Sequence, residues 1–208
     1  MNTRSHIEGS LYENVTWFGL TRSARPVKRS VAPVVLKEDY SCGITIFPDV
    51  FTTTNPKYTI LSDIIERIKN GNSRELVGKI RSCTSKAEKE NLKKELPSIC
   101  FSGIFTQRNN ASLVRHSGYV VLDYDNVPKE FKAKVCKNPY VRAAFVSPSG
   151  NGLKVVVKIS GDHIEVCEKL GQYFPKEGLD LQTDVSRVCF ESYDPEVYFN
   201  NNSLEFNG

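Results

Sequence analysis

The second half of the chain switches between the two-residue period of strands and the longer period of helices. Three apolar stretches bounded by turn residues are predicted strands: 118–126, 141–148 and 152–159. Helices are predicted between them at 127–137 and after them at 163–174; the second carries apolar residues at helical spacing, namely Ile164, Cys167, Leu170 and Phe174. A last short strand is predicted from Arg187. Because 141–148 and 152–159 form a hairpin, this order favours a mixed sheet with helices packed on it.

The front of the chain has weaker periodicity. Residues 1–38 are predicted to form a poorly structured basic arm, and residues 39–208 a single α/β domain. Residues 41–47 and 98–105 are predicted strands. A polar segment and a short helix or turn are expected to follow, up to His116.

Three further helices are predicted to form a small insert near residues 60–97, with a basic outer face. The first begins near Ser62 and is ended by Gly71, the second covers 73–82, and the third begins at Thr84 as its N-cap.

Composition indicates an ordinary globular protein, with 39% hydrophobic and 25% charged residues. No run reaches the roughly 18 apolar residues that a membrane helix needs, and the start MNTRSHIEGS lacks the apolar stretch of a signal peptide. A cytoplasmic location without membrane contact is therefore expected. The six cysteines are scattered without a C-x-x-C pair, which favours small buried apolar side chains over a zinc site or disulfides.

Charge is distributed unevenly around a net value of +4. Residues 66–96 hold nine basic and five acidic residues, whereas residues 118–208 hold ten basic and thirteen acidic ones. Such a pattern suits an anionic polymer on the front half and metal ions in the back half. Solvated helix faces would give the same counts.

Two carboxylates end the first predicted strand of the back half. Strand alternation puts Asp123 and Asp125 on one face and Tyr124 on the other. Two like charges so close favour a cation between them, and hard divalent cations prefer oxygen ligands. The alternative is a strand end at which Asp125 or Asn126 caps the next helix.

The turn SPSGNG, residues 147–152, combines hydroxyls and glycines in a way that suits close approach of a phosphate. Asn151-Gly152 would equally shape a plain hairpin. Lys154 begins the next strand, where it could meet a phosphate or simply be exposed. Further on, Asp184 precedes Arg187 by three residues, so they could supply a metal ligand and a phosphate contact, or form a surface salt bridge.

The order of these features resembles the archaeo-eukaryotic primase superfamily, whose primase-polymerase members carry a D-x-D strand, a Ser-x-His strand and a third acid. The segments HSGYVVLDYDN, SPSGNGLKVVV and DVSRVCFESYDP, with RSCTSKAEKENLKKELPSICFSGIF upstream, look more specifically like the VirE N-terminal-type domain. That family is a primase-polymerase-like module of bacterial mobile elements and phages. The resemblance covers roughly residues 41–200.

The resemblance implies an α+β fold with an RRM-like sheet. It implies that Asp123, Asp125 and Asp184 are catalytic carboxylates that bind Mg²⁺ or Mn²⁺. The residues implied to bind the nucleotide phosphates are Ser147, Ser149, Gly150, Lys154 and Arg187. The basic residues proposed to contact nucleic acid are Arg108, Arg115, Lys93 and Lys94.

The function so implied is that of a DNA primase/polymerase, a nucleotidyltransferase that binds DNA or RNA and nucleoside triphosphates. The family's module is often joined to a helicase-type module. None follows in this sequence, which indicates a stand-alone or truncated protein, or a helicase-type partner on a separate chain. One departure favours a catalytically inactive nucleic-acid-binding or partner-recruiting module instead: Lys154 stands where the family's histidine aligns. A metal-dependent nuclease would use the same acids.

Overall fold

The computed structural model describes residues 43–208. The basic arm predicted over 1–38 and the first two residues of the strand predicted over 41–47 lie outside the described residues. The strands are β1 Ile44–Phe47, β2 Lys57–Thr59, β3 Ser98–Cys100, β4 Gly103–Phe105, β5 Leu113–His116, β6 Tyr119–Tyr124, β7 Val141–Val146, β8 Leu153–Ser160, β9 Leu179–Asp180, β10 Cys189–Phe190, β11 Tyr198–Phe199 and β12 Phe206–Asn207. The helices are α1 Leu61–Asn70, α2 Arg74–Ser82, α3 Lys86–Lys93, α4 Glu130–Val135 and α5 His163–Tyr173.

The central sheet has the strand order β11-β7-β8-β6-β9, with β12 parallel to the end of β8. Helix α4 connects β6 to β7, and helix α5 connects β8 to β9. Strands β6 to β9 and these helices therefore form a β-α-β-β-α-β unit in which the fourth strand pairs with the first. The α+β, RRM-like sheet expected from the sequence is confirmed.

Both faces of this sheet are covered. Strand alternation turns Val120, Leu122 and Tyr124 toward α4 and α5, where they form one apolar cluster. On the other face, Tyr119 and Val121 belong to a second cluster with residues of α1, β1 and β3. The sheet is buried between two layers, so a polar side chain on either face is held in a defined position.

The second sheet has the order β10-β3-β1-β2 and lies over the α1 side of the core. Helix α1 contributes Ile64, Ile65 and Ile68 to that core, and Gly71 ends it with a left-handed backbone conformation, as predicted. Helix α3, by contrast, buries none of its residues. Of the predicted insert, helix α1 therefore belongs to the core, whereas helix α3 lies on the surface.

Several predicted boundaries are wrong. The strand predicted over 98–105 divides at Phe101 and Ser102 into β3 and β4, which belong to different sheets. The short helix or turn expected up to His116 is confirmed only at Asn110–Ser112, which form a 3-10 helix, whereas residues 113–116 form strand β5. The N-cap of α3 is Ser85, not Thr84, since its hydroxyl accepts from the Glu88 N–H.

Two assignments within the β-α-β-β-α-β unit also change. The strand predicted from Arg187 exists as β10, but it pairs with β3 in the second sheet, while the two-residue β9 fills the fourth position of the central sheet. Ile164 was expected on the buried face of α5. It is 54% exposed, because Val166, Cys167 and Leu170 make that face.

Cysteine side chains behave mostly as predicted. Cys100, Cys167 and Cys189 are buried, and the five described cysteines are unpaired. Burial raises the pKa of the Cys100 and Cys189 thiols to about 12, which makes them poor nucleophiles. Across residues 43–208, no helix combines the length and apolar character that crossing a membrane requires.

Candidate functional site

Asp123 lies near the end of β6, directly opposite Lys154 on the antiparallel strand β8. Directly opposed residues face the same side of a sheet, so the two side chains meet. Lys154 Nζ forms an ion pair with Oδ2 of Asp123, and the side chains are 13% and 25% exposed. The other oxygen, Oδ1, is buried and has no hydrogen-bond partner among the described residues. One oxygen of this carboxylate is thus paired within the protein, and the other is suited to a ligand.

The rest of the D-x-D segment follows the predicted alternation. Tyr124 is buried on the opposite face, with its ring centroid 4.8 Å from that of Phe131 on α4. Asp125 is exposed and lies one residue beyond the strand, where its backbone N–H donates to the Gly178 carbonyl at 2.7 Å. Asp123 is therefore the anchored carboxylate of the pair, and Asp125 the exposed one.

Asp180 is an acidic residue of this site that sequence reasoning missed. It lies on β9, directly opposite Asp123 on the other side of β6 from Lys154. Its Oδ2 is 3.6 Å from Nη2 of Arg187. Leu179 and Leu181 flank it, so the local signal for a strand is an alternation of only three residues. An alternation this short does not identify a strand, because it occurs by chance in many segments.

The predicted third acid, Asp184, lies in the loop before β10. Its carbonyl accepts a hydrogen bond of 3.0 Å from the backbone N–H of Arg187. The guanidinium of Arg187 pairs with Asp180 and not with Asp184. Asp184 and Asp123 line one small cavity of about 30 Å³. The structure therefore brings the third acid near the first without direct pairing.

The 147–152 turn is held by hydrogen bonds within itself. Ser147 is 5% exposed, and its Oγ accepts from the Gly152 N–H at 3.1 Å. Ser149 Oγ donates to Asn151 Oδ1 at 2.7 Å, and Asn151 in turn donates to Asn126 Oδ1 at 2.8 Å. Ser147 consequently shapes the turn, while the partly exposed Ser149 is the hydroxyl nearer to solvent. The Asn151–Asn126 bond ties the turn to the end of the D-x-D segment.

Arg81 on α2 is a second contributor that the sequence did not indicate. Its Nη2 donates to the carbonyls of Ser147 at 3.2 Å and Tyr193 at 2.9 Å. Gly150 has a left-handed φ of 86°, and a Cβ there would lie 3.5 Å from the Arg81 side chain. Arg81 thus ties the helical segment to the turn through a contact that no local spacing could reveal.

These elements enclose a cleft of about 370 Å³. Among its lining residues are four acidic or hydroxyl side chains from the predictions, three basic side chains and Asp180: Asp123, Asp125, Ser147, Ser149, Lys93, Lys154, Arg187 and Asp180. Gly150 lines a different depression of about 240 Å³, and Asp184 lines the adjoining small cavity. Most of the predicted phosphate-binding set therefore meets in one place.

The predicted nucleic-acid contacts divide into two groups. Lys93 lines the cleft and pairs with Glu90 at 2.8 Å. Arg108 lines a neighbouring open groove of about 480 Å³ that shares Arg187 with the cleft, and its Nη2 donates to the Val50 carbonyl at 2.5 Å. Lys94, which contacts Asn91, and Arg115 on β5 are not among the described residues that line either depression.

Two histidines meet beside the site. Nε2 of His116 on β5 is 2.9 Å from Nδ1 of His163, the first residue of α5. His116 Nδ1 accepts a hydrogen bond of 3.0 Å from the Gly118 N–H, and His163 Nε2 lies 3.7 Å from Cys167 Sγ. Burial, with a smaller effect of His163, lowers the pKa of His116 to about 4. Burial also lowers the pKa of His163, against the opposing charges of Asp162 and Asp184.

This pair predicts an acid-sensitive fold. In the unfolded chain, a histidine takes up its proton near the ordinary pKa of 6.5, whereas folded His116 resists protonation down to about pH 4. Its contribution to stability is therefore full above about pH 6.5 and is lost as the pH falls toward 4. We expect the free energy of unfolding, from urea titrations at pH 7.5, 6 and 5, to fall less steeply in His116→Gln than in the wild type. Equal slopes would contradict the prediction.

Metal binding has partial support from the side chains present. Carboxylate oxygens are the ligands that Mg²⁺ and Mn²⁺ prefer, and Asp123 Oδ1 is a buried oxygen without a partner. However, within residues 43–208 no group of three or more His, Cys, Asp or Glu side chains is arranged to hold a metal ion. The donor chemistry fits a divalent cation, and a three-carboxylate site of Asp123, Asp125 and Asp184 stays a prediction.

Comparison with known proteins adds a partial similarity. Residues 91–177 match the family described as BT4734-like, N-terminal domain. The match covers β3 to α5, including Asp123, Asp125 and the 147–152 turn, and it ends before Asp180. This is less than half of the chain. No curated protein and no solved structure gives a significant match.

Proposed function

We propose that this protein binds a nucleoside triphosphate together with Mg²⁺ or Mn²⁺ and acts on nucleic acid as a primase-polymerase-like nucleotidyltransferase. The observation that carries the proposal is the single cleft in which Asp123 and Asp180 lie beside Lys154, Arg187 and Lys93. Carboxylates bind cations and the basic groups bind phosphates, so a metal-bound triphosphate complements both sets of charge.

Each side chain has a role in this proposal. Asp123 holds the metal through Oδ1 while Lys154 neutralises Oδ2, and Asp180, Asp125 and Asp184 are the nearby additional carboxylates. The chemistry that Mg²⁺ or Mn²⁺ supplies in such sites is activation of the attacking hydroxyl and neutralisation of the leaving pyrophosphate. Arg187 and Lys93 provide positive charge that attracts the phosphates of the nucleotide. Phosphoryl transfer needs mainly positioning and charge neutralisation, and a cleft of this composition provides both.

In this proposal, nucleic acid (DNA or RNA) binds in the groove next to the cleft. Arg187 lines both the cleft and the groove, and Arg108 lines the groove. A strand bound there would place its end beside the triphosphate. Contacts of this kind to phosphates carry no sequence information, so binding is expected to be nonspecific and to weaken strongly with salt.

A second candidate function is a catalytically inactive module that binds nucleic acid or recruits a helicase-type partner. The ion pair between Lys154 and Asp123 favours it, because the lysine occupies one oxygen of the carboxylate on which metal binding depends. Such a module would bind the same polyanions without forming a phosphodiester bond.

Template-directed nucleotide incorporation tests the two candidates. The chain is incubated with a primed template and labelled nucleotides in Mg²⁺, in Mn²⁺ and with a chelator, and binding of the template is measured in parallel. We expect incorporation that requires the metal. Template binding without any incorporation would overturn the primase-polymerase proposal in favour of the inactive module. Absence of both would overturn nucleic-acid binding in either candidate and leave partner recruitment alone.

A further inference from the structure

The His116–His163 pair has a hydrogen-bond direction that the backbone dictates. A backbone N–H can only donate, so His116 Nδ1 must accept from Gly118. In a neutral imidazole the other nitrogen then carries the proton, and His116 Nε2–H donates to Nδ1 of His163 across 2.9 Å. Because Nδ1 of His163 accepts this hydrogen bond, the proton of a neutral His163 lies on its Nε2.

A charged pair does not fit this geometry. A proton on His116 Nδ1 would face the Gly118 N–H, and a proton on His163 Nδ1 would face His116 Nε2–H. Both histidines are partly buried, and burial lowers the pKa of each. His163 is therefore presented as a neutral donor through Nε2–H.

His163 adjoins the candidate site. His163 lines the small cavity of about 30 Å³ together with Asp123, Lys154, Asp184 and Arg187. A cavity of this size admits one oxygen-sized group. The described neighbour of Nε2 is Cys167 Sγ at 3.7 Å, and sulfur is a weak acceptor. A ligand oxygen that enters the cavity offers a much stronger one.

We infer that His163 is a further ligand-contacting residue in the small cavity that adjoins the cleft, a neutral N–H donor to one phosphate oxygen of the bound nucleotide, and that His116 is the positioning residue that fixes its proton. This rests on the proposed triphosphate binding. His163 is the first residue of helix α5, so this donor would reach the ligand from a helix, whereas Asp123 and Lys154 lie on strands.

Calorimetric binding of a nucleoside triphosphate with Mg²⁺ tests the contact. His163→Phe is expected to weaken binding by about tenfold or more, the usual effect of losing a hydrogen bond to a charged group. His116→Phe should weaken binding in the same direction. His116→Gln should largely restore it, because the glutamine amide can accept from Gly118 and donate to His163 at once. Ile164→Ala, an exposed neighbour on α5, is the matched control and should bind as the wild type does.

Histidine ¹⁵N spectra of the wild-type protein test the proton positions without any substitution. Both histidines are expected in the Nε2–H form at pH 7, and the His163 Nε2 signal is expected to shift when the Mg²⁺-triphosphate is added. A His163 proton on Nδ1, an imidazolium at pH 7, or equal affinity of His163→Phe and wild type would overturn this inference alone. Failure of the wild type to bind triphosphate would overturn the proposed function along with it.

Discussion

Asp123→Asn is expected to reduce nucleotide incorporation by about a thousandfold, a loss comparable to removing a principal electrostatic contact from an active site. Asp123 pairs with Lys154 on one strand, lies opposite Asp180 on the other, and leaves Oδ1 for the metal. Asparagine preserves the size of the side chain but removes the negative charge that pairs with Lys154 and that the metal ion needs. Incorporation rates at saturating nucleotide in Mg²⁺ measure the effect.

Two controls separate catalysis from folding in this experiment. Asp63→Asn makes the same chemical change on α1, at an exposed position outside the cleft, and should leave incorporation unchanged. Urea denaturation should show that Asp123→Asn, which loses the charge of one partner of a largely buried ion pair, is still folded under the assay conditions. Full incorporation by Asp123→Asn would remove the cleft from consideration as the active site.

Glu191→Ala is expected to lower the free energy of unfolding by about 3 kcal/mol, because it removes a fully buried carboxylate that accepts from two donors. Glu191 is fully buried at the start of the segment that follows β10. Its Oε1 lies 2.5 Å from Arg67 Nε on α1, and its Oε2 accepts from Ser73 Oγ at 2.5 Å. Loss of the carboxylate leaves both donors without their partner. Urea denaturation of the wild type and the variant measures the difference.

Glu205 offers the matched comparison for that experiment. It forms an ion pair with Lys158 at 2.8 Å, and both side chains are well exposed, so Glu205→Ala should change the free energy of unfolding by less than about 1 kcal/mol. Glu191→Gln should fall between the two alanine variants, because the amide can keep one hydrogen bond while losing the charge. Equal stability of Glu191→Ala and Glu205→Ala would show that the buried pair contributes no more than an exposed one.

The consequence for function is indirect but specific. Phe190, which precedes Glu191, lines the cleft, and the backbone N–H of Glu191 donates to the Pro97 carbonyl at 2.8 Å. The Arg67–Glu191–Ser73 network thus fastens this wall of the cleft to helix α1 and to the segment before helix α2. A destabilised Glu191 variant that stays folded should therefore bind triphosphate less tightly than its folded fraction alone accounts for.

The predictions that succeeded concern elements with a long, regular pattern. Strands β6 and β8 have six and eight residues, long enough for the two-residue period to indicate which side chains share a face within each strand. Helix α1 presents Ile64, Ile65 and Ile68 at helical spacing before a glycine that ends it. In these segments local preference and burial point the same way.

The predictions that failed concern short elements and contacts between distant segments. Strands β9 and β10 have two residues each, so no period identifies them, and their assignment to different sheets depends on neighbours far away in the chain. Asp180 was missed for that reason, although it lies opposite Asp123. Arg81 reaches Ser147 across 66 residues of sequence.

By itself, the sequence determined the strand-helix-strand-strand-helix order of residues 118–174 and the turn at 147–152, because each follows from local periodicity or turn chemistry. Only the tertiary structure decided that Lys154 and Asp180 both lie opposite Asp123, that Lys93 and Arg187 line the same cleft, and that His116 meets His163. Those contacts depend on how separate elements pack together, and packing geometry is not encoded in the spacing of residues along any one of them.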